Sequence, residues 1–177
     1  MHDPSDWTCR TTYEGTYERE ILRLLDDLLE DSDLVVDVGA NVGVISAYAS
    51  RLVGRAGHVI AVEPSPRCFA DLHAVTDRLG NVTVVAAALG NETGTVDLTG
   101  WDNPGHRGLG SIVPGHRAGL PEHWFDGEVC RVPQIRLDDL LVEQLGGEPL
   151  VGLLKVDVEG AEQMVLEGVP NIFRNRQ

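Results

Sequence analysis

The chain has 177 residues, 42% hydrophobic and 24% charged, a composition typical of one soluble globular domain. Its 28 acidic and 14 basic side chains give a net charge of −14, which argues against a nucleic-acid surface, because such surfaces need clustered Lys and Arg. No apolar run reaches the roughly 20 residues of a membrane helix. The acidic start also lacks a signal peptide's basic end and hydrophobic stretch, so we expect a cytoplasmic protein.

The first predicted elements alternate between helix and strand. Apolar residues recur at helical spacing from Tyr17 onward and predict an amphipathic helix, in an N-terminal helical segment (residues 1–32), that covers a sheet face. The apolar run Leu34–Val38 predicts a buried strand, and Val44–Leu52 predicts the helix after it. A second apolar strand, His58–Val62, completes a unit with a right-handed crossover.

The middle of the chain repeats this pattern and then loses it. Ser65 is a good N-cap for the next helix, and Val82–Ala86 predicts a third strand. After a short strand at Thr95–Leu98, the stretch 100–127 is rich in Gly, Pro and His. We interpret this stretch as a long functional loop and a candidate substrate lid.

The last predicted elements are a helix, a buried strand and a helix, at Leu137–Leu145, Val151–Val158 and Ala161–Glu167. Strands that alternate with helices imply an α/β fold with a doubly wound, mostly parallel, Rossmann-like sheet. Without internal repeats, residues 1–177 are interpreted as a single domain.

Cysteine and histidine spacing predicts no metal site. The three cysteines are odd in number and far apart, and none belongs to a Cys-x-x-Cys pair, so we expect reduced thiols. The six histidines lack the i, i+4 spacing of a helical zinc site.

Acidic side chains follow three of the predicted parallel strands. Because ligands of open parallel sheets bind beyond the carboxyl ends of the strands, Asp37, Glu63 and Asp157 become candidate site residues. Glu63 comes 24 residues after Gly39, where a carboxylate can accept both hydrogen bonds of a ribose diol. The alternative is a solvated strand end. The spacing indicates a nucleoside-containing cofactor.

The glycine turn after the first strand departs from the dinucleotide fingerprint. Gly39 and Gly43 permit a tight turn, but Asn41 stands where that fingerprint has its second glycine. Asp37 would repel phosphates and suits a cationic group such as an amino-acid ammonium, although Asp is also common beside glycine turns.

Four segments together resemble the FkbM family of S-adenosylmethionine-dependent methyltransferases, which have the class I fold. These segments are Val36–Gly43, Val62–Ser65, Leu137–Leu140 and Leu154–Glu162, and their order and spacing match across roughly residues 13–170. The resemblance implies S-adenosylmethionine as the cofactor. It also implies methyl transfer to a hydroxyl oxygen of a small molecule, such as a sugar, a polyketide or another secondary metabolite.

The resemblance assigns cofactor-binding roles to matching residues. The first motif of the family cradles the methionine part of the cofactor, which implies that role for Asp37, Gly39, Asn41 and Gly43. Glu63 would hold the ribose. The third strand ends in alanines, where many methyltransferases place a polar residue against adenine, so we expect backbone groups near Ala88 to serve instead.

The Lys-x-Asp-x-Glu-Gly segment of the family lines its active site, which implies that Lys155, Asp157 and Glu159 lie near the transferred methyl group. Asp157 and Glu159 alternate on a predicted strand and would point to opposite faces, so we choose Asp157 as the catalytic residue. Lys155, the single lysine of the chain, is equally well interpreted as a salt-bridge partner or as a catalytic group.

The loop histidines are weaker candidates for a general base. They are His106, His116 and His123, and solvated loop histidines are common. His106 lies in a polar segment that is able to cover a substrate.

The end of the chain departs from the family. In the family another parallel strand and an antiparallel hairpin follow, whereas this chain stops at Gln177, so we expect a truncated product or fragment with an open sheet edge. The alternative is that a second copy, as a homodimer, or a partner chain completes the sheet.

The missing strands also motivate a different function, a non-catalytic S-adenosylmethionine-binding module within a larger assembly. A nicotinamide-dependent reductase is motivated by Glu63 and opposed by Asn41 and Asp37.

Overall fold

The computed structural model describes residues 6–102, 105–116, 127–147 and 149–169. The strands of this part of the chain are β1 (Leu34–Val38), β2 (His58–Val62), β3 (Val82–Val85), β4 (Ala88–Leu89), β5 (Gly94–Leu98), β6 (Cys130–Ile135) and β7 (Leu153–Val156). Its helices are α1 (Trp7–Tyr13), α2 (Arg19–Leu28), α3 (Val44–Leu52), α4 (Pro66–Thr76), α5 (Leu137–Leu145) and α6 (Glu162–Glu167), with a 3-10 turn at Arg107–Leu109.

Four parallel strands form the main sheet in the order β3-β2-β1-β7. Alternate residues of the central strands serve opposite faces, as the period of a strand requires. Val35 of β1 packs with Ile45 of α3 and Leu25 of α2. Val36 packs on the other face with Leu140 of α5. Helices therefore cover both faces, which confirms the doubly wound α/β sheet.

A second sheet of three strands lies beside the first, in the order β4-β6-β5. β6 pairs in parallel with β4 and antiparallel with β5, so that Val132 faces Val96 across the ladder. The sequence analysis missed β4 and β6. Pro133 within β6 weakens its strand pattern, and both partners of β6 are more than 30 residues away along the chain.

The first half of the chain confirms the sequence predictions most closely. The predicted bounds of β1, α3 and β2 agree with the structure, and so do those of α5. Ser65 caps α4 as expected, since its hydroxyl accepts a hydrogen bond of 3.3 Å from the amide of Cys68. The predicted strand Val151–Val158 is shorter, because β7 ends at Val156.

Three further observations concern membrane-spanning helices, metal sites and the edge of the main sheet. Within the described residues, no helix is both long and apolar enough to cross a membrane. The same residues contain no group of three or more His, Cys, Asp or Glu side chains that would hold a metal ion. β7 lies at one edge of the main sheet. A homodimer that completes this edge stays a prediction.

Candidate active site

A cleft opens where β1, β2 and β7 end, with about 990 Å³ of space between its walls, part of it open to solvent. The predicted site residues that line the cleft are Gly39, Asn41, Glu63, Ala88 and Asp157. The other two, Asp37 and Gly43, lie behind its wall.

The turn after β1 is packed so tightly that two of its glycines are required. Gly39 has φ +73°, and a methyl group there would overlap the carbonyl oxygen of Asp157. Gly43 has φ +86°, and a methyl group there would lie 2.7 Å from the side chain of Leu72. Between them Asn41 is also left-handed, with φ 52°, a conformation that Asn tolerates better than most residues. The turn therefore holds Gly39 and Asn41 at the cleft and Gly43 against α4.

Asp37 belongs to a buried ion pair beneath this turn. Its side chain is 0% exposed; one carboxylate oxygen accepts a 2.6 Å hydrogen bond from Ser46, and the other lies 3.1 Å from Lys155 Nζ. That second contact is an ion pair without hydrogen-bond alignment, because the ammonium donates instead to the carbonyl oxygens of Gly39, at 2.7 Å, and Val38, at 3.3 Å. The placement corrects the expectation that Asp37 faces a cationic ligand. It favours the salt-bridge interpretation of Lys155.

Glu63 joins the two turns that flank the cleft. Its carboxylate accepts a 2.8 Å hydrogen bond from the amide of Asn41 and another of 2.8 Å from the amide of Ser65. Burial raises the pKa of Glu63 to about 7, against the lowering effect of these hydrogen bonds and of the nearby Lys155 charge. A carboxylate has about four acceptor positions, so each oxygen retains capacity for a ligand hydroxyl group.

One wall of the cleft is apolar. It is formed by the ends of β1 and β2, by the residues around β4 and by the loop that follows β5. The residues concerned are Val38, Val62, Ala87, Ala88, Leu89, Leu98 and Ile112. Such a wall suits a flat, weakly polar ring.

The turn after β7 corrects the expectation that Asp157 and Glu159 face opposite ways. Because β7 ends at Val156, strand alternation stops before either residue, and Glu159 has φ 51°. Both residues line the cleft. The Asp157 carboxylate is 64% exposed and lies 3.8 Å from Lys155 Nζ. Burial raises the pKa of Glu159, and the charge of Asp157 raises it further.

The stretch 100–127 contributes only in part to the described structure. The segment around the 3-10 turn at Arg107–Leu109 contributes His106, Gly108 and Leu109 to the lining of the cleft. His116 packs against the turn after β7, since a methyl group on Gly160 would lie 2.5 Å from its ring nitrogen. His123 lies outside the described residues, so its candidacy is untested.

The N-terminal segment also lines the cleft, which the sequence analysis missed. Trp7 and Thr8 of α1, and Tyr17 and Glu18 just before α2, lie in its wall. The amide of Trp7 donates a 3.1 Å hydrogen bond to the carbonyl oxygen of Gly105 in the loop above the cleft. The rings of Trp7 and Tyr17 meet edge to face, with centroids 5.9 Å apart. The sequence signal for this part of the cleft is a Tyr-Glu pair just before a predicted amphipathic helix. The local pattern does not distinguish a pair that lines a site from an ordinary helix start.

The electrostatics of the cleft favour a cationic ligand. Four acidic residues line it, at positions Glu18, Glu63, Asp157 and Glu159, whereas no described Lys or Arg does. Asn41 also carries a buried side-chain oxygen without a hydrogen-bond partner among the described residues, so a donor at this end of the cleft would satisfy it. The site combines an apolar wall, a carboxylate beside a glycine turn and two further carboxylates at a second turn.

Comparison with known proteins gives one family match. Residues 37–177 match the methyltransferase FkbM domain. The methyltransferase sdnD of Sordaria araneosa is 36% identical over 164 residues, which cover 80% of this chain and 62% of that protein. The 31-O-demethyl-FK506 methyltransferase FkbM of Streptomyces tacrolimicus is 30% identical over 164 residues, which cover 80% of this chain and 61% of that protein.

A solved structure is also similar in part. The S-adenosylmethionine-dependent methyltransferase from Aquifex aeolicus has 24% sequence identity and a TM-score of 0.39, over 56% of this chain and 54% of that chain. The chain spans about three fifths of the length of the curated relatives described above.

Proposed function

The chain belongs to the FkbM-domain family of S-adenosylmethionine-dependent methyltransferases, and we propose that it transfers a methyl group from S-adenosylmethionine to a hydroxyl oxygen of a small molecule. The observation that carries the proposal is Glu63, which braces the Gly39–Asn41 turn through the amide of Asn41 and faces the same cleft. A carboxylate next to a glycine turn is the arrangement that receives a ribose and its attached chain.

The cofactor would be held by residues on three sides of the cleft. Glu63 would accept hydrogen bonds from the ribose hydroxyl groups, and the turn at Gly39 and Asn41 would hold the methionine part. The apolar wall around Ala88 takes the adenine ring. Asp37 and Gly43 shape this turn from behind instead of touching the ligand, since both lie outside the lining. When bound, the cofactor supplies a methyl group already activated by a positive sulfur.

The protein's part in the reaction is then to align the acceptor and remove its proton. Asp157 is our candidate, because its carboxylate is exposed at the cleft and its backbone lies against Gly39 in the turn after β1. Glu159 is the second candidate, since a carboxyl group whose pKa is raised by burial is a stronger base once ionised.

The acceptor class rests on the relatives. The name of the Streptomyces relative describes 31-O-demethyl-FK506 as its substrate, which supports a hydroxyl acceptor here. The family match favours methyl transfer over the nicotinamide-reductase alternative. A binding module without catalysis stays open as an outcome of the experiment below.

The experiment has two stages. Calorimetric titration of S-adenosylhomocysteine into the wild type and Glu63→Ala, with circular dichroism of both, tests the cofactor. We expect saturable binding that the variant loses while it remains folded. Transfer of a labelled methyl group to a panel of sugars and hydroxylated polyketides then tests the reaction, with Asp157→Asn and Glu159→Gln compared. Binding without transfer to any acceptor would favour the binding module, and full turnover in Asp157→Asn would remove that residue from the mechanism.

A further inference from the structure

The junction between α1 and α2 places Tyr17 and Glu18 in the lining of the cleft. Asn41, in the turn after β1, lines the same cleft. Burial is the largest cause that raises the pKa of Tyr17, followed by the charge of Glu18 and then that of Asp157. Glu18 directly follows Tyr17 in the chain and lines the same cleft.

The acid expected to hold a cationic group at this turn is already occupied. Asp37 is fully buried and paired with Lys155 and Ser46. In contrast, the Glu18 carboxylate has no hydrogen-bond or ion-pair partner among the described residues, and its residue is half-buried in the cleft wall. A half-buried carboxylate without a partner gains most from a cationic ligand.

Backbone strain supports the same location. Among the described non-glycine residues, those with positive φ are Glu18, Ser32, Asn41 and Glu159. All except Ser32 line the cleft. Glu18 has φ 47° at the start of α2 and makes no side-chain cap there, so the strained conformation serves no visible purpose in the helix. Strain of this kind persists where the surrounding structure needs a side chain in one place.

We infer that Glu18 binds the ammonium group of the methionine part of the cofactor, with Tyr17 fixing its position beside Asn41. This inference rests on the proposed function. It replaces Asp37 by Glu18 as the acid that faces the cation, while Asp37 and Lys155 support the turn from below. Glu18 is thus a ligand-binding residue, and Tyr17 is a positioning residue.

The test compares two nucleosides that share adenosine and differ in the amino-acid part. S-adenosylhomocysteine carries the ammonium group, and 5′-methylthioadenosine lacks it. In Glu18→Gln we expect the affinity for S-adenosylhomocysteine to fall about 10-fold or more, the loss of one charge-assisted hydrogen bond. The affinity for methylthioadenosine should change less than about two-fold, because the ribose and adenine contacts are untouched. Glu20→Gln is the matched control, because it removes the same charge from an exposed residue in the first turn of α2.

A second variant separates binding from folding. Glu18→Gly relieves the left-handed backbone, so its melting temperature should equal or exceed that of the wild type while S-adenosylhomocysteine binding is lost. If Glu18→Gln leaves the affinity for S-adenosylhomocysteine unchanged, or lowers the affinity for both nucleosides equally, the inference about Glu18 is wrong. The proposed function would not be affected by either result. If the wild type binds neither nucleoside, the proposed function fails and the inference falls with it.

Discussion

Replacing Lys155 by Met tests whether the single lysine is a structural support. The Met side chain keeps the length of the stem and removes the ammonium group. Asp37 would then retain only its hydrogen bond from Ser46, and the carbonyl oxygens of Val38 and Gly39 would lose their donor. The change leaves a fully buried carboxylate without a counter-charge at the end of β1.

The expected cost follows from the burial of the pair. Breaking a buried ion pair from one side costs about 3–5 kcal/mol. Because the Lys155 side chain is 18% exposed, we expect the lower end, about 3 kcal/mol. This is a large part of the roughly 5–15 kcal/mol that stabilises a typical domain. Adding Asp37→Asn removes the stranded charge, so the double variant should recover about 1–2 kcal/mol relative to the sum of the single variants.

Urea denaturation followed by circular dichroism measures these free energies of unfolding. Arg131→Met is the matched control, because Arg131 pairs with Asp97 where the two side chains are 73% and 56% exposed. Its effect should stay within about 0.5 kcal/mol. A loss below about 1 kcal/mol in Lys155→Met would refute the reasoning. If such a variant also lost turnover, the catalytic interpretation of Lys155 would be the correct one.

Two further predictions concern the turns around the cleft. Because the pKa of Glu63 is raised from 4.5 to about 7, the native state keeps a proton that the unfolded chain releases, so the free energy of unfolding should fall as pH rises through that range. Urea denaturation across this range checks the slope, which Glu63→Gln should flatten; an unchanged slope in the variant would contradict the assignment. Gly39→Ala should destabilise by about 1–3 kcal/mol more than Gly15→Ala in the same assay, because both glycines have positive φ but only Gly39 meets a backbone oxygen. Equal losses would mean that the Asp157 contact contributes nothing.

Much of the main sheet was predictable because its signals are local. The apolar run Leu34–Val38 and the turn after it identify a buried strand without reference to the rest of the chain, and the structure agrees residue for residue. The same holds for Val44–Leu52, a helix between glycines. Where a segment is defined by its own composition, its partner strands add little information.

The errors occurred where distant contacts decide the structure. β6 contains Pro133 and exists because β4 and β5 pair with it on both sides. The orientation of Glu159 depends on β7 ending at Val156, which no residue type in that segment indicates. α1 is rich in residues that form helices poorly, but the Asp6 side chain caps it, accepting a 2.9 Å hydrogen bond from the amide of Cys9.

The candidate site shows the same contrast between local sequence signals and contacts between distant residues. Gly39 and Glu63 were identified from spacing and Asn41 from the family resemblance, and all three line the cleft. The burial of Asp37 was not predictable, because the sequence does not tell which acid is neutralised by a lysine more than 100 residues away.

The contact between Lys155 and Gly39 joins residues that are 116 positions apart. Bringing such distant segments together is an entropically expensive step of folding, and it precedes the contacts that reward it. During synthesis, the turn after β1 leaves the ribosome long before the strand that supports it from below. The cleft is therefore completed only after β7 has joined β1.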